Sequence, residues 1–323
     1  MTTSAPPVEQ VPPPAPASLR REGSSTAIRR SLSSRLSTLL VVLLTVVWTV
    51  PTFGLLVTSL RPAQDVLSSG WWSVFAHPAF TADNYQTVLV SGGYNVSGGL
   101  MPFFINSFVI AIPGTIFPLA IASMAAYALA WVPFRGSDAV FFTVFGLQVV
   151  PLQMALLPLL QFFNQGLKIG GATIIPELHL SGSFITVWAA HTMFAMPLAI
   201  FLLHNFMAQL PADVMEAARV DGANFFVTFR RIVLPLSTPS LAAFAIFQFL
   251  WVWNDLLVAL TFVGGSPEVA PLTARLSQLT GSLGSRWDLL TAGAFVSIVV
   301  PLIVFFALQR YFVRGLLAGS VKG

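Results

Sequence analysis

Charged residues are missing from several long stretches of this 323-residue chain, and this segregation limits its fold more than any other feature. Residues 36–60, 139–167, 178–212 and 289–309 are among these charge-free stretches. A helix needs about 20 mainly apolar residues to cross the hydrocarbon core of a bilayer, so each stretch is long enough. The whole chain is 55% hydrophobic and only 9% charged, which is too little charge to cover a soluble domain of this size. The sequence therefore predicts an all-α protein embedded in a lipid bilayer.

The apolar runs and the loop residues between them predict six transmembrane helices within residues 36–315. The predicted spans lie near residues 37–60, 103–131, 138–163, 183–207, 236–263 and 289–312. Several of them contain proline, which removes a helix hydrogen bond and bends the helix. These prolines are Pro51, Pro113, Pro118, Pro151, Pro158, Pro197 and Pro301. They are candidates either for hinges or for static kinks that shape the packing.

Both ends of the chain are predicted to lie in the cytosol. Residues 1–35 are rich in Pro, Ser and Ala and are predicted to form a disordered tail, because such a composition cannot bury a core. Residues 316–323 form the predicted cytosolic C-terminal tail. The apolar run that follows the N-terminal tail is longer than the apolar part of a usual signal peptide. An uncleaved first span is therefore favoured over a cleaved leader.

The distribution of Lys and Arg supports this orientation. With six spans and a cytosolic N-terminus, 12 of the 16 Lys and Arg residues fall on the cytosolic side. The other four are Arg61, Lys168, Arg275 and Arg286. Cytoplasmic loops of membrane proteins are enriched in these residues. Membrane topology accounts for the formal net charge of +4 better than a nucleic-acid-binding surface does, so no nucleic-acid partner is expected.

The sequence has few residues that would support catalysis or a metal site. It contains no cysteine, which excludes disulfides and thiolate ligands. A GxxxxGK[ST] phosphate-binding loop is missing, so the chain is not expected to bind ATP by that route. The four histidines, His77, His179, His191 and His204, are too scattered to form a ligand pair at helical spacing. We predict no catalytic residue, no metal site and no cofactor bound by this chain.

A polar segment at residues 208–234 lies between the fourth and fifth predicted spans. Pro211 suits a first helical position, and Asp213 and Glu216 place negative charge in the early turns, where it complements the helix dipole. Gly222 is placed to end that helix and Asn224 to cap the next one. The segment therefore predicts a helix–turn–helix elbow. Helix physics alone leaves open whether it binds a soluble partner or is an amphipathic linker resting on the membrane.

Sequence motifs resemble those of a known family. Residues 216–235 read EAARVDGANFFVTFRRIVLP, and the spacing of EAA, Gly, Ile and Leu-Pro resembles the coupling signature of bacterial ABC importer permeases. The ending QRYFVRGLLAGSVKG resembles that of the maltose-type permeases of the carbohydrate branch. RPAQDV, DNYQTVL, NSFVIA, AAYALAWVPFRG and WND agree as well, so the resemblance covers nearly everything from Arg61 onward. Trp131 and the Gly-Ser stretch at 91–99 depart from the family pattern, and residues 1–35 match nothing.

The resemblance implies a type I ABC importer permease fold (MetI-like) in the bacterial cytoplasmic (inner) membrane. The chain would be a non-catalytic subunit forming half of a translocation pathway for a sugar or oligosaccharide. Its implied partners are a second permease subunit, two ATP-binding cassette subunits that hold ATP and Mg, and an extracytoplasmic solute-binding protein. The implied ATPase-coupling residues are Glu216, Ala217, Ala218, Asp221, Gly222, Ala223 and Ile232.

The most conspicuous polar residue within a predicted span is Asp255. A carboxylate inside a membrane is costly and marks either a functional site or a buried partner. Asn254 is adjacent, and Trp251 and Trp253 could stack on a sugar ring. Asn254, Asp255, Trp253 and His191 are therefore candidates for a substrate path. A structural role between helices is the alternative, since lone polar residues in helical bundles often bond across helices.

Two other classes of membrane protein remain open at this stage. An ion-coupled secondary transporter or channel would tend to show paired broken helices and several ionisable residues at the membrane midplane. Here Asp255 is the one plausible intramembrane charge in the sequence. A non-transporting assembly factor is the third possibility, and it would lack a stoichiometric ATPase partner.

Overall fold

The computed structural model describes residues 24–91, 98–282 and 286–318. Outside these ranges lie most of the predicted N-terminal tail, most of the Gly-Ser stretch at 91–99 and the last five residues of the chain. The first helix begins at Ser24, upstream of the predicted start of the first span, and the last helix continues to Ala318. The boundaries predicted at residues 35 and 316 therefore fall inside helices.

The described residues are almost entirely helical. Their α-helices are α1 (Ser24–Ser59), α2 (Ala63–Ser68), α3 (Asp83–Gln86), α4 (Met101–Trp131), α5 (Ser137–Gly146), α6 (Leu152–Gln165), α7 (Phe184–Met207), α8 (Ala212–Val220), α9 (Phe225–Thr228), α10 (Leu234–Leu236), α11 (Thr238–Trp253), α12 (Leu257–Phe262), α13 (Leu272–Ser282) and α14 (Trp287–Ala318). Short 3-10 helices lie at Trp71–Phe75 and Leu147–Val149, and π-helical turns at Thr87–Ser91 and Phe229–Val233. The predicted all-α class is confirmed, with one small exception.

That exception is a β-hairpin between α6 and α7. Strand β1 (Leu167–Ile169) pairs antiparallel with β2 (Ala172–Ile175). Gly170 and Gly171 form the turn, and both have positive φ angles, of 57° and 84°, which glycine adopts without steric cost. The hairpin side chains are mostly exposed.

The described residues fall into two units, which divide between Phe53 and Gly54. In the first unit, the apolar part of α1 carries exposed Leu, Val and Trp side chains along its length, as a lipid-facing helix does. Four helices in the described residues are long and apolar enough to span a bilayer: Arg35–Ser59, Met101–Trp131, Phe184–Met207 and Trp287–Gln309. Two bent pairs of helices raise the number of candidate spans to six.

Both bent pairs correspond to predicted spans, which are broken rather than continuous. The third span bends by 103° between Ser137–Val149 and Leu152–Gln165, and Pro151 lies at the break. The fifth follows a 74° bend between Phe225–Leu236 and Thr238–Trp253. It is interrupted again at residues 254–256, before α12.

Contacts between α4 and α7 show that the bent pairs cross the full thickness of the second unit. Near the starts of these helices, the Trp188 indole N–H donates to the carbonyl of Val109 at 2.8 Å. At their ends, the Trp131 indole N–H donates to the carbonyl of Met207, also at 2.8 Å. The two helices are therefore parallel, so the chain between them must return along their length through α5 and α6.

The same reasoning applies to the fifth span. The N–H of Gly182, just before α7, donates to the carbonyl of Phe262 at the end of α12 at 2.8 Å. The path through α11 and α12 therefore leads back from the end of α7 to its beginning. Counted with α1 and α14, the crossings agree with the six predicted spans.

Small residues set the spacing of the central helices. Ala122 and Ala126 of α4 and Ala190 and Ala199 of α7 are completely buried. In membrane proteins, small residues allow helix backbones to approach closely. A Cβ on Gly114 of α4 would lie 3.3 Å from the side chain of Val252, so the contact between α4 and α11 is equally tight.

Candidate functional site

The elbow between α7 and α11 has the local structure that its sequence predicts. Helix α8 ends at Val220, and Gly222, two residues later, has a φ of 77°. The N–H of Gly222 donates to the carbonyl of Arg219 at 3.0 Å, and that of Ala223 to the carbonyl of Ala218 at 2.9 Å. These two bonds form a Schellman motif, which satisfies the last carbonyls of the helix.

The second arm of the elbow begins with the predicted cap. The side-chain oxygen of Asn224 accepts a hydrogen bond from the N–H of Val227 at 2.9 Å. Pro211 lies one position earlier than predicted, as the residue before the first helical residue Ala212. The turn from α8 to α9 is thus defined by local hydrogen bonds at both of its ends.

Three buried side chains anchor the elbow to the helices beneath it. Met215 of α8, and Phe229 and Val233 beyond α9, join a cluster that includes Tyr127 of α4 and Met207 of α7. The ring of Phe229 lies 5.3 Å from that of Tyr127, centroid to centroid. Because both arms are anchored, a displacement of the elbow must be transmitted to α4 and α7.

The seven predicted coupling residues occupy different depths in this elbow. Glu216, Ala217, Asp221 and Gly222 are exposed, and Ala223 and Ile232 are half-buried. Ala218 is 4% exposed and packs inward beside Met215, so its contribution to an exposed surface is indirect.

Exposed apolar side chains extend the elbow surface beyond the predicted residues. Val220 is 87% exposed, and Phe225 and Phe226 are 52% and 66% exposed. Helix α8 carries the apolar residues Val214, Ala217 and Val220 together with Met215 and Ala218. In the structure these residues divide between two faces, and the first three face outward. We call the exposed residues of this surface the elbow face: Val214, Glu216, Ala217, Val220, Asp221, Gly222, Phe225 and Phe226. A cavity of about 210 Å³ lies beneath it, beside Tyr127 and Arg219.

The four candidates for a substrate path do not form one lining. His191 is completely buried, and its Nε2 lies 3.6 Å from Oδ2 of Asp255. Trp253 is 2% exposed and donates its indole N–H to the carbonyl of Ser297 on α14 at 3.1 Å. Asn254 is exposed and donates to the carbonyl of Leu250 in its own helix. The structure thus brings His191 and Asp255 together and directs Trp253 elsewhere.

A cavity of about 570 Å³ lies at the break of the third span, between the 3-10 helix Leu147–Val149, α6, α7 and α11. Its walls are mainly apolar, with two amide side chains and several aromatic rings; they include Gln148, Pro151, Phe194, Phe247, Gln248 and Trp251. Gln248 is 1% exposed, and its Nε2 donates to the carbonyl of Gly114 at 3.0 Å. That bond fixes the side chain and leaves its oxygen for other partners.

Gln148 and Gln248 were missed as site residues by the sequence analysis. The available signal was a polar residue within an apolar segment, and Gln153 and Asn106 share it. Gln153 is exposed, whereas Asn106 is buried and donates to the carbonyls of Pro267 and Ala270 at 2.9 and 3.0 Å. The sequence could not separate these cases because the exposure of each side chain depends on how its segment packs against neighbouring helices.

Among the residues that the structure describes, no group of three or more His, Asp or Glu side chains is placed to hold a metal ion. The features that remain are a rigid exposed elbow at one end of a six-span bundle and a cavity beside a broken span. These features define the class of the protein as a polytopic membrane transport subunit.

The chain belongs to a family described as the binding-protein-dependent transport system inner membrane component, whose model matches residues 118–317. It is thus a non-catalytic membrane subunit of a transport system, and the predicted family is confirmed. It is 52% identical over 280 residues to the osmoprotective compounds uptake permease protein GgtD of Synechocystis sp., covering 85% of this chain and 88% of that protein.

Two further relatives match over long segments. The alpha-glucoside transport system permease protein AglG of Rhizobium meliloti is 55% identical over 246 residues, which cover 76% of this chain and 61% of AglG. The arabinooligosaccharides transport system permease protein AraQ of Bacillus subtilis is 33% identical over 286 residues, covering 88% of this chain and 95% of AraQ.

The fold is also similar to that of a solved structure. A chain in the crystal structure of a bacterial ABC transporter involved in the import of the acidic polysaccharide alginate superposes with a TM-score of 0.67. The match covers 87% of this chain and 97% of that chain at 19% sequence identity. At this identity the similarity concerns the fold alone, and it confirms the predicted importer permease fold.

Proposed function

We propose that this chain is one of two permease subunits of an ATP-driven importer for a sugar or oligosaccharide. It would pair with a second permease, receive its substrate from an extracytoplasmic solute-binding protein, and bind two ATPase subunits that hold ATP and Mg. The elbow would face the cytosol, with both chain termini on the same side. The names of AglG and AraQ support a carbohydrate substrate.

The anchored elbow is the observation that carries this proposal. Its outer face exposes apolar side chains next to Glu216 and Asp221, a composition suited to a protein partner rather than to water alone. Its inner side is fixed to α4 and α7 through Met215 and Phe229. A partner that moves this face would therefore move α7, which lines the larger cavity.

We further propose that the larger cavity is the part of the sugar path that this chain contributes. Amide groups and aromatic rings are suited to sugars, since they bind hydroxyl groups and stack on the apolar ring faces. Gln248 and Trp251 provide both kinds of group one helical turn apart on α11. His191 and Asp255 lie behind Trp251 rather than in the cavity wall.

A Gly222→Glu variant tests the coupling role. Open space surrounds the position, so the side chain fits in the isolated subunit. In a docked complex the new charge would be desolvated against the partner, and we expect ATP-dependent uptake to fall by about tenfold or more. Uptake of radiolabelled maltose into proteoliposomes and ATP hydrolysis stimulated by the binding protein are the measurements.

Gly136→Glu is the matched control. Gly136 lies in the loop between α4 and α5, has a φ of 90° and is surrounded by open space, so the substitution carries the same backbone strain. We expect this variant to transport normally. Equal transport by the Gly222→Glu and Gly136→Glu variants would show that the elbow does not bind the ATPase.

A further inference from the structure

Asp255 joins three structural elements at the break between α11 and α12. Its carboxylate accepts the N–H of Val258 at 3.3 Å and that of Ala259 at 3.0 Å, which caps α12. Its backbone carbonyl accepts the hydroxyl of Thr273, at the start of α13, at 2.6 Å. Both carboxylate oxygens are therefore engaged by the protein, and the side chain is only 11% exposed.

The third element is α7, which contributes His191. Its imidazole is completely buried, and among the described residues neither ring nitrogen has a hydrogen-bond partner. Nε2 lies 3.6 Å from the Asp255 carboxylate, just beyond hydrogen-bonding distance. The ring also meets that of Trp251 edge to face, with 5.5 Å between the centroids. Trp251 in turn lines the larger cavity.

Thr273 is held in place from the opposite side. Asn106 of α4 donates to the carbonyls of Pro267 and Ala270, and the hydroxyl of Ser107 accepts the N–H of Leu272 at 2.8 Å. Ala270 and Leu272 are buried. The segment Pro267–Thr273 is thus fixed to the start of α4, and its last residue is bonded to Asp255.

We propose that Asp255 is a positioning residue that transmits the position of the segment Pro267–Thr273 through His191 to Trp251 in the cavity wall. It acts without touching the transported sugar. The role of the cavity as a sugar path rests on the proposed function above. The chain of contacts from Thr273 to Trp251 does not depend on that proposed function.

The test uses the absence of cysteine from the sequence. Phe247 lines the cavity one turn before Trp251 and is 48% exposed, so Phe247→Cys gives a single thiol there. In the assembled complex, adding Thr273→Val removes the hydroxyl that bonds to Asp255. We expect the alkylation rate of this thiol by a maleimide to change by about fivefold, the factor that corresponds to losing one neutral hydrogen bond.

Two matched variants control for general effects of the substitution. Thr273→Ser keeps the hydroxyl and should restore the original alkylation rate. Thr261→Val removes a hydroxyl that bonds only within its own helix, to the carbonyl of Leu257, and should leave the rate unchanged. Equal rates for Thr273→Val and Thr261→Val would overturn the proposal.

If Thr273→Val fails to assemble, Asp255→Asn replaces it, because the amide keeps one oxygen to cap α12 but loses the charge facing His191. An unchanged alkylation rate in that variant counts equally against the proposal. A change in the preference for maltose over other sugars, with the alkylation rate unchanged, would also contradict the proposal, because it would show that Asp255 contacts the sugar. Absence of maltose uptake by the wild-type complex would weigh against the proposed function alone, since alkylation needs no transport.

Discussion

At the residue scale, Gly222 and Asn224 each have one local structural role in the elbow. Gly222 ends α8 because its φ of 77° suits glycine, and Asn224 begins α9 through a side-chain hydrogen bond. Both roles were predictable because they depend on residues within four positions along the chain.

An Asn224→Ala substitution should loosen the start of α9. Losing this cap costs about 0.5–2 kcal/mol, so we expect the Val227 amide to exchange with deuterium several times faster. Hydrogen exchange followed by mass spectrometry measures the rate. Asn224→Asp retains an acceptor and should protect the amide as the wild type does. Equal exchange in all three proteins would contradict the capping role.

A Gly114→Leu substitution should destabilise the bundle. A side chain there would meet Val252 and the Cβ of His191, and overpacking of this kind costs about 1–3 kcal/mol. Thermal unfolding in detergent measures the loss. Gly146→Leu is the control, because a Cβ at Gly146 meets nothing within 4 Å. An equal melting temperature for both variants would show that the α4–α11 contact is looser than described.

Trp251 and Trp253 show what could not be predicted from the sequence at the residue scale, namely which side chain faces the cavity. Residues two apart on an α-helix lie about 200° apart around its axis, so Trp251 and Trp253 cannot share a face. The sequence does not say which one faces the cavity. That depends on how α11 packs against α4 and α14, where the Trp253 ring meets that of Phe108 edge to face and its indole N–H bonds to Ser297.

At the scale of elements, α8 and α9 form an elbow with two distinct sides. The sequence predicted both short helices and their turn from caps and composition. It could not assign Val214 and Val220 to the outer side, because an apolar residue is expected inward unless a partner covers it.

Substitutions on the two sides of the elbow should separate folding from coupling. Phe229→Ala removes a ring packed on Tyr127 and should cost about 3–5 kcal/mol of stability. Phe226→Ala removes a ring that is 66% exposed and should leave the melting temperature unchanged while lowering the stimulated ATPase activity. Thermal unfolding and ATP hydrolysis are measured on the same preparations. Unaltered ATPase activity in Phe226→Ala would exclude that residue from the docking surface.

At the scale of the whole molecule, the apolar runs predicted six crossings. Parallel packing of α4 and α7 explains why the third span counts among them, and the bond between Gly182 and Phe262 explains why the fifth does. The breaks themselves were not predictable. Proline occurs in most of the spans, yet α4 continues through Pro113 and Pro118, whereas the third span breaks at Pro151. The outcome depends on whether neighbouring helices compensate for the lost hydrogen bond.

Single cysteines in this cysteine-free sequence should report the topology. Phe134→Cys lies between α4 and α5 at the elbow end, and Ile169→Cys lies in the hairpin at the opposite end; the two side chains are 44% and 61% exposed. We expect a membrane-impermeant maleimide to label Ile169→Cys in intact spheroplasts, and Phe134→Cys only after permeabilisation. Labelling of both from one side would contradict a full crossing by α5 and α6.

The paired indole bonds of Trp131 and Trp188 have a mechanical consequence. Because hydrogen bonds join α4 and α7 near both of their ends, the two helices cannot slide along one another without breaking one of these bonds. They therefore behave as a single rigid unit. The third and fifth spans, which contribute the other walls of the larger cavity beside α7, are bent by 103° and 74°. If the α4–α7 pair moves as one body when the elbow is displaced, we expect these bends to absorb the motion and the width of the cavity to change.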